Sequence, residues 1–241
     1  MHCPEETQVK VEIWSDVVCP WCYIGKRRFE EALAAFDHRD DVEVVWKSFE
    51  LDPGAPAVRE GDLTTHLAHK YGTGVAGAQE MIDRMTAQAA GEGLEYRLGA
   101  ARGGNTFDAH RLIHFGAARG MQDAIKERLL AAYHCDGVAV GDRSALVTLA
   151  VGAGLDPEEV HAVLDGDAFA DAVRADEREG NDLGITGVPF FVIGRRYGVS
   201  GAQPSAVLLD ALQRAWDETR GFSLIGTASQ PDGCDDGSCD I

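Results

Sequence analysis

Apolar residues alternate with charged ones near the beginning of the chain. Three aliphatic residues between positions 9 and 13 are separated by Lys10 and Glu12, which is the period of a strand that buries one face. A second strand is predicted over residues 42–49, because a cluster of proline and glycine residues follows it. Between the two strands, apolar residues recur at helical spacing behind Pro20, so we expect a helix that begins at Cys19.

The strand pattern returns towards the end of the chain. Residues 190–193 and 197–199 predict two short strands joined by a turn at residues 194–196, and a last amphipathic helix opens near Pro204. The intervening residues 59–180 are rich in alanine and show helical periodicity broken by glycines. The pattern as a whole predicts an α/β fold.

The order of these elements also predicts the domain organisation. A sheet domain is expected from both ends of the chain, residues 1–54 and 181–220, with an all-helical domain, residues 55–180, inserted between them. Residues 221–241 have the composition of a mobile C-terminal tail.

Composition narrows the class of protein. The 241 residues are 45% hydrophobic and 26% charged, which is typical of a globular protein. The net charge of −18 disfavours nucleic acid and anionic membranes as partners. The sequence has neither a long apolar run nor a secretion signal, so we expect a cytoplasmic protein without membrane attachment.

Two cysteines separated by two residues, in the sequence C-P-W-C, stand where the first strand gives way to the first helix. The N–H groups and the positive dipole end of a helix N-terminus stabilise a thiolate. We therefore predict that Cys19 is the attacking thiolate, acidic and open to water, and that Cys22 resolves the mixed disulfide formed there. Half of a zinc site and two unrelated core cysteines are the alternatives, but a C-x-x-C in this α/β context favours redox chemistry over metal binding.

Several neighbouring residues bear on the acidity of this pair. Pro20 and Trp21 separate the cysteines, so a histidine that would stabilise a thiolate is missing and the redox direction stays open. Asp16 is either a buried acid, which would raise the thiol pKa or move protons, or a surface turn residue. A small positive potential, mostly screened by solvent, is expected from the three basic residues that follow in the helix, Lys26, Arg27 and Arg28.

Four sequence strings occur together: S-D-V-V-C-P-W-C-Y-I-G-K, N-T-F-D-A-H-R-L-I-H-F, G-I-T-G-V-P-F-F-V-I and V-S-G-A-Q-P. In this order the chain resembles the DsbA-like thioredoxin-fold family over residues 9–219, and in particular its cytosolic FrnE-type oxidoreductases. The resemblance implies a thioredoxin fold with a large inserted helical domain. It also implies thiol–disulfide exchange without a bound cofactor or metal, with protein thiols or small disulfides as partners.

The same resemblance implies that Val188 and Pro189 are joined by a cis peptide facing the cysteines. Proline tolerates the cis form and lacks an N–H, so the backbone of Val188 would stay free to pair with an extended substrate. Val188 is then the substrate-docking residue. The alternative is that Pro189 is an ordinary proline of an edge strand.

Glutathione-dependent isomerases and kappa-type glutathione transferases belong to the same superfamily. Because serine commonly replaces the leading cysteine in those relatives, the two sulfurs of this chain fit disulfide exchange better, although glutathione stays open as a thiol co-substrate. The similarity includes Asn105, His110 and Arg111. These residues either line the cleft between the domains or cap and brace a helix of the insertion.

The predicted tail carries a second pair, Cys234 and Cys239. About 14 flexible residues span roughly 20 Å, so a tethered pair meets the first pair at about millimolar effective concentration. We hypothesise that the tail exchanges disulfides with Cys19 and Cys22, as a second motif does in FrnE-like proteins. Idle cysteines and metal capture are the alternatives, and Cys3 is a further partner for the tail.

The sequence thus predicts a thiol:disulfide oxidoreductase or isomerase. A glutathione-dependent isomerase or transferase is the alternative among enzymes. A thiol-based chaperone that holds clients without turnover is the alternative from another class. The natural substrate, the redox partner and the oligomeric state stay open.

Overall fold

The sheet is built from both ends of the chain, as predicted. The computed structural model describes residues 8–219, and the sheet order is β2-β1-β3-β4. The strands are β1 (Val9–Ser15), β2 (Val42–Ser48), β3 (Phe190–Ile193) and β4 (Tyr197–Ser200). Cys3, Cys234 and Cys239 lie outside the described residues, so the predictions made for them stay predictions.

The strand pairings place β1 inside the sheet. It pairs in parallel with β2, where Val9 is opposite Val42, and antiparallel with β3, where Ile13 is opposite Phe191. Strands β3 and β4 form a hairpin whose turn contains Gly194 at φ 59° and Arg195 at φ 57°. Two successive positive φ values are typical of the tight turns that fit the twist of a hairpin.

The helices connect and cover these strands. Helix α1 (Pro20–Ala34) connects β1 and β2, and α9 (Ser205–Thr219) follows β4. The region predicted to be helical contains α2 (Leu63–Lys70), α3 (Val75–Gly91), α4 (Phe107–Ala117), α5 (Gln122–His134), α6 (Arg143–Gly152), α7 (Pro157–Asp165) and α8 (Ala170–Asp182). Aspartate side chains accept backbone N–H bonds at the beginning of α2, α6 and α7, which explains why those helices begin where they do.

One face of β1 packs against α1 and α9. Its aliphatic residues contact the main apolar cluster, which includes Phe29 and Phe36 of α1 and Leu212 and Trp216 of α9. Residues of α4 to α7 belong to the same cluster. Whether the helical region folds as a separate domain with the expected boundaries therefore stays a prediction.

The other face of β1 is also covered, so the prediction of a half-buried strand is wrong. Glu12 is 1% exposed and pairs with Arg195. Trp14 is fully buried, and its Nε1 donates to the carbonyl oxygen of Asp176 in α8 at 2.9 Å. The alternation of apolar and charged residues predicted that one face of β1 is buried. It could not show that the helical insertion covers the other face of the strand.

Candidate active site

The C-P-W-C motif lies at the junction of β1 and α1. Cys19 is the residue that precedes the first turn of α1, and Pro20 occupies the first turn, where its missing N–H costs no hydrogen bond. The N–H of Cys22 donates to the carbonyl of Cys19 at 3.0 Å. The two thiols lie close enough for each to shift the pKa of the other, and within the described residues neither sulfur is in a disulfide. The predicted position of the pair at a helix start is confirmed.

Access to the pair comes through a cavity of about 600 Å³. Cys19 lines this cavity but is only 5% exposed, and Cys22, at 1%, is closed off from it. Trp21 between them is 41% exposed and also lines the cavity. Cys19 is therefore the sulfur that a substrate can reach, but the expectation that it is open to water is wrong. The reason is the helical insertion, since residues of α2, α3 and α5 line the same space.

The two buried thiols titrate as a pair. Interaction with Cys22 raises the pKa of Cys19 well above its ordinary value, and burial raises it further. Burial opposes ionisation of Cys22 as well, but interaction with Cys19 and the positive charge of Lys126 lower the pKa of Cys22. The pair therefore carries one negative charge before it can carry two. The expectation that Cys19 is the attacking thiolate stays a prediction.

Val188 and Pro189 lie beside the first cysteine. Their peptide bond is cis, as the resemblance implied. The Cys19 Sγ donates to the carbonyl oxygen of Val188 at 3.5 Å, and Val188 lines the cavity. Pro189 is buried directly before β3, which lies between β1 and β4. An ordinary edge-strand proline is therefore the wrong reading of this position.

Asp16 is fully buried, so the alternative of a surface turn residue is wrong. Its Oδ2 accepts the N–H of Leu51 at 2.8 Å, and its Oδ1 lies 3.4 Å from His110 Nε2. Burial opposes ionisation, but these two neighbours together lower the pKa of Asp16. Burial lowers the pKa of His110 in spite of the carboxylate. At neutral pH the site therefore holds an Asp16 carboxylate beside a neutral His110, and the carboxylate adds to the rise in the pKa of Cys19.

Asn105 and Arg111 have the contacts of bracing residues. Asn105 accepts the N–H of Phe107 at the start of α4 and donates to the carbonyl of Pro53. Arg111 is buried and donates to backbone carbonyls of residues 163, 166 and 168. Neither residue lines the cavity, and neither does His110, whose described ion-pair contact is Asp16.

The basic residues after the motif are paired rather than screened by water. Lys26 is 2% exposed and contacts three carboxylates, those of Glu30, Asp123 and Glu127. Arg28 donates to Glu92 at 2.6 Å. The expected small positive potential is therefore neutralised by acidic residues, two of which belong to α5.

The sequence did not predict that three further residues lie near the cysteine pair. Lys126 and His134, both on α5, are fully buried, and Tyr96 donates its O–H to the carbonyl of Pro20 at 2.6 Å. His134 lines the cavity and stacks on Tyr96 with ring centroids 4.9 Å apart. A signal was available for Lys126, because it falls in helical register with the apolar Leu130.

The described residues contain neither a metal-binding cluster nor a membrane-spanning helix. Among residues 8–219, no group of three or more histidine, cysteine or acidic residues is arranged to hold a metal ion. Across the same part of the chain, each helix is too short or too polar to cross a bilayer.

The family model for the DSBA-like thioredoxin domain matches residues 10–213. The chain belongs to this family. A solved structure of a probable DsbA oxidoreductase, SCO1869 from Streptomyces coelicolor, is 52% identical, and the match covers 96% of this chain and 100% of that one with a TM-score of 0.85. An uncharacterised Bacillus subtilis protein, YwbO, is 28% identical, with 77% of this chain and 87% of that protein covered.

More distant DsbA-like folds include two enzymes of known type. A 2-hydroxychromene-2-carboxylate isomerase is 13% identical, with 88% of this chain and 98% of that one covered and a TM-score of 0.64. The cytosolic disulfide reductase DsbM of Pseudomonas aeruginosa, solved with GSH, is 17% identical, with 88% and 97% covered and a TM-score of 0.54. At these identities the likeness concerns the fold. It agrees with the predicted thioredoxin fold.

Proposed function

We propose that this DsbA-like protein is a thiol:disulfide oxidoreductase in which Cys19 attacks and Cys22 resolves. The observation that carries the proposal is the pair itself: two neighbouring thiols lie at a helix start, and of the two only Cys19 lines the cavity. Family membership supports thiol–disulfide chemistry in general.

The exchange proceeds in two balanced steps. Cys19 attacks a substrate disulfide in the cavity as the thiolate of the singly deprotonated pair, in which Cys22 keeps its proton. The S–S bond of the substrate breaks, and its first sulfur leaves as a thiolate that takes up a proton. Cys22 then loses its proton and attacks the Sγ of Cys19, which releases the second substrate thiol. The substrate is reduced by two electrons, the pair is oxidised to a disulfide, and the reverse sequence oxidises a dithiol.

Because Cys19 is buried at the cavity, two classes of substrate are expected to reach it. A folded surface cannot enter a cavity of about 600 Å³, whereas a small disulfide or an extended peptide segment can. For an extended segment, we propose that Val188, whose carbonyl already faces Cys19 at 3.5 Å, is the docking residue. The DsbM structure was solved with GSH, which supports glutathione as a thiol co-substrate to test here.

Trapping distinguishes the roles of the two sulfurs. In Cys22→Ser, a substrate disulfide should remain bound to Cys19 as a stable mixed disulfide that mass spectrometry detects after acid quench. Cys19→Ser should trap nothing, because its remaining thiol is closed off from the cavity. Adducts on Cys22 in the second variant, or none on Cys19 in the first, would contradict the assignment.

Turnover assays distinguish the reaction classes. Reduction of insulin or refolding of scrambled ribonuclease should be accelerated by the wild-type protein and by neither cysteine variant. A glutathione-conjugating enzyme would accelerate neither reaction. A chaperone would only delay aggregation, and equally so in the variants.

The tail pair extends this proposal. We propose that Cys234 and Cys239 pass disulfides to and from Cys19 and Cys22, as the resemblance to FrnE-type proteins suggests. Free-thiol titration of the Cys19→Ser, Cys22→Ser double variant tests it. The tail pair should then exchange slowly with donors that oxidise it in the wild type. An unchanged redox state under every donor in both proteins would contradict the shuttle.

We also propose the cytoplasm as the compartment. Six cysteines, only two closely spaced pairs among them, are typical of catalytic rather than structural thiols in a reducing compartment. Similarity in fold to a cytosolic reductase supports the same compartment. Fractionation of the source cells tests it, and recovery outside the cytoplasm would overturn it.

A further inference from the structure

Lys126 is a buried cation beneath the cysteine pair. It lies on the face of α5 that points into the protein and is 0% exposed. Its Nζ donates to the carbonyl oxygen of Ser15 at 3.3 Å and lies 5.5 Å from the centroid of the Trp46 ring. Ser15 ends β1, four residues before Cys19. The ammonium group thus reaches the strand end from which the motif begins.

This lysine forms no ion pair with a carboxylate within residues 8–219, which sets it apart from Lys26. Lys26 is nearly as buried, and its Nζ lies 5.9 Å from the centroid of the same Trp46 ring. Three carboxylates neutralise Lys26. A buried ammonium without such partners is costly in free energy. The fold therefore bears a cost at Lys126 that it avoids at Lys26.

The groups that face Lys126 come from four parts of the fold. They are Asp16 after β1, the two thiols and Lys26 at α1, His110 of α4 and His134 of α5. Asp16 is engaged by the N–H of Leu51 and lies beside His110. The remaining anion is the thiolate shared by the cysteines. The carbonyl of Ser15, four residues before Cys19, accepts from Lys126 and so places the ammonium group near the motif.

We propose that Lys126 is a positioning residue that holds the single negative charge of the Cys19–Cys22 pair and so sets its acidity and reduction potential. It supplies the cation that the residues between the cysteines, Pro20 and Trp21, lack. The thiolate exists only in the reduced protein, since the disulfide is neutral. Lys126 therefore stabilises the reduced form, raises the reduction potential and makes the pair a better oxidant.

The acidity of the lysine agrees with this placement. Burial lowers the pKa of Lys126 to about 8, while the negative charges of Cys22 and Asp16 oppose that fall. At neutral pH the ammonium form predominates, so the charge is present where the exchange operates.

Lys126→Met removes the charge and keeps the length of the side chain. We expect the thiolate absorbance at 240 nm to titrate about one pH unit higher and iodoacetamide to alkylate the pair about tenfold more slowly at neutral pH. The equilibrium constant with glutathione should move about tenfold towards the disulfide, which corresponds to a reduction potential about 30 mV lower.

Lys26→Met is the matched control, because it removes an equally buried ammonium over the same ring. Its thiol titration and potential should match the wild type. The two variants should also differ in stability. Lys126→Met should unfold at the same or higher denaturant concentration, since an unpaired buried charge is removed. Lys26→Met should unfold at lower denaturant concentration, because it removes the three ion pairs of a buried ammonium. Unchanged thiol acidity in folded Lys126→Met, or equal shifts in both variants, would overturn the proposal.

A measurement on the wild-type protein covers the case in which Lys126→Met does not fold. NMR of isotope-labelled lysine should show one buried ammonium whose pKa is higher in the reduced protein than in the disulfide form. A value that is the same in both forms would refute the coupling. These readouts concern the protein's own thiols, so they stand apart from the proposed turnover: failure to reduce insulin with an intact Lys126 effect would contradict the proposed function alone.

Discussion

Gly25 of α1, the helix that carries Cys22, packs tightly against Pro189 in the loop that faces the cysteines. A methyl group at this position would lie 2.9 Å from Cγ of Pro189 and 3.5 Å from Cζ of Phe191. Favourable carbon–carbon contacts occur at about 3.5–4.0 Å, so the helix and the proline ring would have to separate by more than half an ångström in Gly25→Ala.

Gly25→Ala changes the free energy of unfolding in two opposite ways. Overpacking of a tight core contact costs about 1–3 kcal/mol, and the proline ring is too rigid to turn aside. Alanine in place of glycine inside a helix returns about 1 kcal/mol. We therefore expect a net loss of up to about 2 kcal/mol in the free energy of unfolding. Because the carbonyl of Val188 moves with Pro189, we also expect insulin reduction to slow by about tenfold, given that a misplacement of 1 Å costs on the order of a hundredfold.

Gly91→Ala is the matched control on another helix. Gly91 ends α3, and a methyl group there meets nothing within 4 Å. That variant should keep its activity and gain up to about 1 kcal/mol from helix propensity alone. Urea unfolding and insulin reduction, measured on both variants, give the comparison. If Gly25→Ala gained stability like the control and kept full activity, the inferred closeness of α1 and Pro189 would be refuted.

Two further predictions concern the aromatic residues around the motif. Burial lowers the pKa of His134 to about 3, so the neutral form stabilises the fold above the unfolded pKa of about 6.5, and up to about 5 kcal/mol is lost as the pH falls towards 3. Urea unfolding as a function of pH should show this loss in the wild type and in the control His161→Gln, which changes an exposed histidine. The loss should be much smaller in His134→Gln. Equal acid sensitivity of the two variants would contradict the role of His134. Tyr96→Phe should lower the free energy of unfolding by about 1 kcal/mol, because it loses the hydrogen bond to the Pro20 carbonyl. The control Tyr71→Phe, at an exposed position, should not change the free energy measured by thermal unfolding. Equal effects of the two substitutions would contradict the role of that bond.

Local sequence determined the elements and the position of the motif. Period-two alternation located β1, helical periodicity and Pro20 located α1, and the hairpin of β3 and β4 was visible in its turn residues. These features depend on neighbours along the chain, so a single sequence shows them. The four strings in the order found also predicted the DsbA-like family and the position of Pro189 beside the cysteines.

Only the tertiary structure decided the environment of the sulfurs. The covering of Cys19 depends on helices that follow it by tens of residues, and the cation near the pair comes from Lys126, more than a hundred residues away along the chain. Burial and Coulomb interactions depend on distance in space, so no pattern local to the motif shows them. That is why the sequence predicted a candidate pair of thiols at a helix start, but not that both are buried near a lysine of α5.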